Sequence, residues 1–161
     1  MEKRTAGRRK VEPGPTAGRV AANLRRLRGS LTLAQLSERL AEVGRPILPS
    51  GLSKIEQGAR SVDVDDLVAL AVVLGATPNA LLLPPYGQED SKVELTDSVV
   101  VSWHRAWVWA TGDGPLDGPA RLSQRVQWFE INKPHRVDEL RLDDLIDGSH
   151  ETYRQEHPDQ S

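Results

Sequence analysis

The chain has 161 residues, of which 38% are hydrophobic and 27% charged, and it contains no cysteine. That length allows one domain with appendages or two small ones, and the missing cysteines exclude disulfides, thiolate zinc sites and cysteine nucleophiles. The net charge of −2 hides an asymmetry: residues 1–60 carry 13 Lys/Arg against 5 Asp/Glu, and residues 61–161 carry 8 against 18. A basic half joined to an acidic half points to one face that meets a polyanion.

Residues 1–16 read as a disordered basic arm, with Lys3, Arg4, Arg8, Arg9 and Lys10 followed by Pro13-Gly14-Pro15 and little to bury. No apolar stretch follows the basic start, so no signal peptide is expected. Val20, Leu24 and Leu27 recur at helical spacing and predict a first helix over Gly18–Arg28. Gly29-Ser30 ends it. Thr32 with Gln35 three residues on is a capping-box pattern, opening a second helix to about Val43 that buries Leu33, Leu36 and Leu40. Leu52 and Ile55 mark a short third helix from Pro49 or Ser50 to Gln57, with Gly58 as its left-handed end. Asp63 is placed to cap a fourth helix, with Asp65 and Asp66 in its first turn, where the helix dipole favours acids. Its buried face is expected to be Val64, Leu67, Leu70, Ala71 and Leu74. Thr77-Pro78 starts a short fifth helix, closed by Pro84-Pro85.

Beyond this unit, 86–92 reads as a polar linker, 93–147 as a small C-terminal segment for interaction or dimerisation, and 148–161 as a frayed tail. Val93–Val101 is rich in β-branched residues, as a strand would be. Trp103, Ala106, Trp107 and Ala110 have helical spacing with Ser102 as a cap, yet Val99, Val101, Trp103, Trp107 and Trp109 also fit a period of two. A strand followed by a helix is the expectation. A further helix can begin at Pro119 and bury Leu122, Val126 and Phe129 or Trp128; a short amphipathic one fits Val137–Ile146.

The order of the first five elements carries a resemblance. Leu24-Arg25-Arg26-Leu27-Arg28, Leu31-Thr32-Leu33-Ala34-Gln35-Leu36-Ser37, Leu52-Ser53-Lys54-Ile55-Glu56-Gln57-Gly58 and the run from Asp63 to Gly75 resemble the lambda-repressor/Cro (Xre-type) family over about residues 18–84. The resemblance implies a mainly α protein: a five-helix lambda-repressor-like helix-turn-helix domain over 17–85 with a small C-terminal appendage. It also implies that the third helix reads DNA, and that Glu56 pairs with Arg28 to brace the third helix against the first. Three features depart from the family pattern: a longer connection between the second and third helices, a shorter one between the first and second, and Leu33 where many members carry a phosphate-contacting glutamine.

A major groove admits one helix, whose first turns meet the base edges. Ser50, Gly51 and Lys54 lie opposite Leu52 and Ile55, so they are the candidates for reading bases; Gly51 would permit close approach. Arg45, Gln57, Arg60 and Thr32 are candidates for phosphate contact. Trp103, Trp107, Trp109 and Trp128 form the core of the C-terminal segment, an interface, since aromatic residues anchor hot spots, or the wall of a small-ligand pocket. The four histidines show no metal-ligand spacing, and no catalytic constellation or cofactor motif is present. The expected function is sequence-specific DNA binding by a cytoplasmic, nucleoid-associated regulator, a repressor by default. Its partners would be double-stranded DNA, a second copy of the chain in a homodimer and, through the C-terminal half, a protein; no membrane is expected. The alternative is an antitoxin-like or partner-binding module that keeps the helical fold without reading DNA.

Overall fold

The computed structural model describes residues 13–117 and 122–132. The basic arm through residue 12, the helix start expected at Pro119, the amphipathic stretch expected over Val137–Ile146 and the tail at 148–161 lie outside the described residues. The chain divides into two units after Trp107.

The first unit opens with five helices: α1 (Pro15–Arg28), α2 (Leu33–Glu42), α3 (Pro49–Glu56), α4 (Val64–Val73) and α5 (Pro78–Leu82). All five stand where the hydrophobic spacing expects them, with shifted ends. α1 starts at Pro15 rather than Gly18, because proline fits the first helical position, where an N–H has no intrahelical partner to lose. α2 begins with the full capping box: the Gln35 N–H donates to Thr32 Oγ1 at 3.2 Å and the Thr32 N–H donates to Gln35 Oε1 at 2.9 Å. Asp63 and Thr77 cap α4 and α5, each accepting from the backbone N–H three residues on.

α1 packs against α3 and α5, α2 against α3 and α4, and α4 against α5. Leu24, Leu36, Leu40, Ile47, Leu52, Ile55, Leu70 and Leu81 fill the shared core. One expectation fails on α4: Val64 is 76% exposed, while Asp66, three residues from the cap, is buried. Asp66 lies at i−4 from buried Leu70 and so continues the inward stripe, which turns Val64, Val68 and Val72 outward together.

The chain does not leave this core after α5. Asn23 on α1 is buried, and its Nδ2 donates to the carbonyls of Leu81 and Leu83 at 3.0 and 2.8 Å. Arg19 donates to the carbonyls of Leu82 and Glu94, and the Thr16 hydroxyl to that of Leu95. α1 therefore ties down the strand β1 (Lys92–Glu94), which pairs antiparallel with β2 (Val100–Ser102), Val93 opposite Val101. The stretch read as a single strand is a hairpin, turned at Thr96, whose hydroxyl accepts from the Ser98 and Val99 N–H groups. α6 (Trp103–Ala110) follows directly, with Ser102 Oγ accepting from the Arg105 N–H as expected of a cap. Trp103 and Trp107, one turn apart on α6, both donate their indole N–H to the Pro84 carbonyl at 3.0 Å. Gly87 lets the first ring lie close: a Cβ there would fall 2.6 Å from Trp103. Residues 86–92 thus bridge two parts of one unit.

The second unit is described from Val108 through Asp117 and over α7 (Leu122–Asn132). In α7, Trp128 and Phe129 meet edge to face at 5.2 Å between ring centroids.

Replacing Asn23 by leucine would keep its bulk and strand two carbonyls at the end of α5. We expect a loss of about 2 kcal/mol, read as a lowered midpoint in urea denaturation, with α5 and the hairpin loosening together in hydrogen exchange.

Candidate nucleic-acid interface

α3 is eight residues long, too short to be stable as an isolated helix. Its form rests on what holds it. Leu52 and Ile55 are fully buried against α1 and α2. Before the helix, Ile47 is buried and its carbonyl accepts from the Ser37 hydroxyl of α2 at 2.7 Å. Pro49 fixes the entry at the first helical position. At the far end, Gly58 takes φ +70° and the chain turns away.

Two ion-pair clusters fix the ends. At the C-terminal end, Arg28 of α1 grips Glu56 as a fork: Nε donates to Oε1 at 2.6 Å and Nη2 to Oε2 at 3.2 Å. The same guanidinium donates to the Leu31 carbonyl, so one side chain joins α1, the turn into α2 and α3. The Glu56 side chain is 6% exposed, and its hydrogen bond holds Arg28 above the ordinary arginine pKa. Arg25, largely exposed, lies 3.7 Å from the other carboxylate oxygen.

The second cluster centres on Asp66, whose side chain is 3% exposed. Arg45, from the α2–α3 connection, donates through Nε to Asp66 Oδ1 at 2.7 Å. Arg60, from the α3–α4 connection, donates through Nη2 to Asp66 Oδ2 at 3.1 Å. Arg45 also chelates Asp63 at 2.7 and 2.9 Å. The two connections flanking α3 are thereby tied to the first turn of α4. The Asp63 carboxyl sits below the usual aspartate pKa, first because the Asp66 N–H donates to it and then because Arg45 lies beside it.

These contacts sort the expected site residues. Ser50 and Lys54 are exposed on α3, and the Lys54 side chain makes no hydrogen bond or ion pair among the described residues. Gly51, between them on α3, is part-buried, and a Cβ there would lie 2.8 Å from Arg60 Nη1 and 3.2 Å from Ile47 Cγ2. The missing side chain leaves room for the tip of the Arg60 guanidinium. Arg45 and Arg60, read as phosphate ligands, have their guanidinium groups engaged by carboxylates. Thr32 caps α2; Gln57 is exposed at the end of α3, where its Nε2 donates to Ser53 Oγ at 3.0 Å. Of the tryptophans, Trp103 and Trp107 are half-buried on the Pro84 carbonyl, with ring centroids 6.2 Å apart. Trp109 is exposed, and Trp128 is half-buried beside Phe129. No group of His, Cys, Asp or Glu among the described residues is arranged to hold a metal ion, and no helix there is long and apolar enough to cross a membrane.

α3 is thus a short helix clamped at both ends, with Ser50 and Lys54 exposed on its outer side. Residues 17–82 match a family model described as a helix-turn-helix domain. This segment is a helix-turn-helix domain of the Xre/Cro-like type. No curated protein and no solved structure matches the chain. The matched segment ends at α5, before the hairpin and α6. Such a domain marks a DNA-binding regulator.

Sequence points to Arg28 and Glu56 only through the family resemblance, and it misses Asp66 and Arg25. The i−4 relation of Asp66 to Leu70 is the available signal for Asp66; nothing local singles out Arg25.

Two outcomes follow for the clamps. Glu56→Ala should cost about 2 kcal/mol, between the values for exposed and fully buried pairs, and should loosen α3 amides in hydrogen exchange more than those of α4. Asp63 titrates lower in the folded chain than in the unfolded one. Its contribution is therefore complete above the unfolded value of 3.8 and disappears as pH falls through the lower folded value. Asp63→Asn keeps a capping oxygen but removes the charge, so its urea midpoint should lie below that of wild type at neutral pH, the two should converge as pH falls through the folded value, and the acid limb of the stability curve should flatten.

Proposed function

We propose that the protein is a sequence-specific transcriptional regulator that inserts α3 into the DNA major groove. The observation that carries the reading is the division of α3 into a fully braced inner side and an outer side with Ser50 and Lys54 exposed. Ser50 can serve donor or acceptor edges, and Lys54 suits the N7 and O6 acceptors of guanine. Thr32 at the N-terminus of α2 and Gln57 at the end of α3 would meet phosphates on either side. Arg25 supplies an exposed cation beside Glu56. Arg45 and Arg60 position α3 and α4 instead of touching the backbone. One module of this size contacts few bases, so two copies related by a two-fold axis would read half-sites about one helical turn apart. Occupying a promoter is enough to repress, and we assign that sense of regulation in the cytoplasm. The exposed Trp109 of the second unit favours a role for the C-terminal half in protein contact.

The test is unbiased site selection with the full chain, at low and moderate salt. Enrichment of a palindromic site is the expected result. On that site Lys54→Ala should lose about 1–3 kcal/mol and relax preference at one base pair; an equal loss on all sequences would make Lys54 a phosphate contact. No enrichment, and no gel retardation even at low salt, would favour a partner-binding module that does not read DNA.

A further inference from the structure

Leu48 is the most exposed large apolar side chain on the connection into α3, with 72% of its surface open to solvent. The exposure does not come from a slack loop. The preceding residue, Ile47, is buried and held through its carbonyl by Ser37, and the following residue is Pro49, whose ring fixes φ. Leu48 is itself the N-cap of α3, at φ −63° and ψ 151°, and its carbonyl already accepts from the Gly51 and Leu52 N–H groups at 2.8 and 3.0 Å. The backbone on both sides is pinned, and the side chain stands in water. The position also forgoes stability. A serine, threonine or aspartate here would cap α3, as Thr32, Asp63 and Thr77 cap their helices.

Resting on the DNA reading proposed above, we infer that Leu48 is a specificity residue that packs on the C5-methyl group of a thymine at the edge of the half-site. The leading end of a recognition helix is the part that meets base edges, and in the major groove the one apolar feature offered by any base is the thymine methyl. Leu48 supplies the matching surface next to Ser50, and burial of a methyl against it removes apolar area from water on both partners. Ser50 and Lys54 would then read hydrogen-bonding edges while Leu48 reads shape and hydrophobicity, so the half-site should contain a thymine that no polar contact explains.

The experiment takes the site enriched by the full chain and replaces its thymines one at a time by deoxyuridine, which removes only the methyl group. Each duplex is titrated with wild-type protein and with Leu48→Ser. One deoxyuridine position should weaken wild-type binding about fourfold, the equivalent of one buried methyl, and should leave Leu48→Ser unaffected. Leu48→Ser should meanwhile melt no lower than wild type, since serine gains a cap, which separates lost recognition from lost folding. If no methyl deletion matters to wild type, or if the same deletion weakens Leu48→Ser equally, the assignment of Leu48 is overturned. If wild type enriches no site at all, the DNA reading falls first and this inference with it.

Discussion

A helix of two turns cannot hold its own shape, and the rest of this domain is arranged around that constraint on α3. Its inner side chains are buried, but burial alone would leave the helix free to tilt about its axis. The ends remove that freedom. Glu56 is gripped by Arg28 of α1, and the connections before and after α3 are drawn by Arg45 and Arg60 onto a single buried carboxylate, Asp66. Charges in these positions cost desolvation, and an apolar replacement of the same shape can be as stable. What the ion pairs add is direction: a forked guanidinium accepts a carboxylate in few orientations. The division of labour among the cations follows. Arg28, Arg45 and Arg60 are paired with carboxylates that set geometry, and the exposed Lys54 side chain has no partner among the described residues.

The first unit extends this logic past the helix-turn-helix domain. α1 lies against α3 through Arg28 and against the chain after α5 through Asn23, Arg19 and Thr16. The hairpin and the first part of α6 complete the anchorage, with two indole N–H groups converging on the Pro84 carbonyl. A half-buried carbonyl with two donors and a buried amide with two acceptors are satisfied contacts, and losing either would leave polar groups without partners. The helix that braces α3 is thus itself fixed by residues outside the matched family segment, which ties the hairpin and the start of α6 to the domain they follow.

Much of the fold was legible because it is written in local chemistry. Leucines at helical spacing, Thr32 with Gln35, Asp63, and Thr77 before Pro78 announce helices whatever surrounds them. The exposure of Ser50 and Lys54 was legible from helical spacing. The site was not legible where the decision is tertiary. Gly51 reads as an opening for DNA, and sequence does not show that the Arg60 guanidinium and Ile47 lie beside it. Arg45 and Arg60 read as candidates for phosphate contact, and sequence does not show that both also reach Asp66. Asp65 and Asp66 are chemically alike, yet one is exposed and the other is the buried hub, a difference set by one step of helical rotation. The stretch from Val93 to Trp109 fits two periods at once, and pairing of Val93 with Val101 resolves it into a hairpin and a helix.

The central claim is that the braced α3 presents its outer side to a duplex, and amide chemical-shift mapping tests it most directly. The ¹⁵N-labelled full chain would be titrated with duplex DNA carrying its selected site. The account predicts the largest shifts at residues 48–57 and at the start of α2, with the amides of α5 and the hairpin nearly still. Shifts concentrated on the hairpin and α6 while α3 remains unmoved would contradict it.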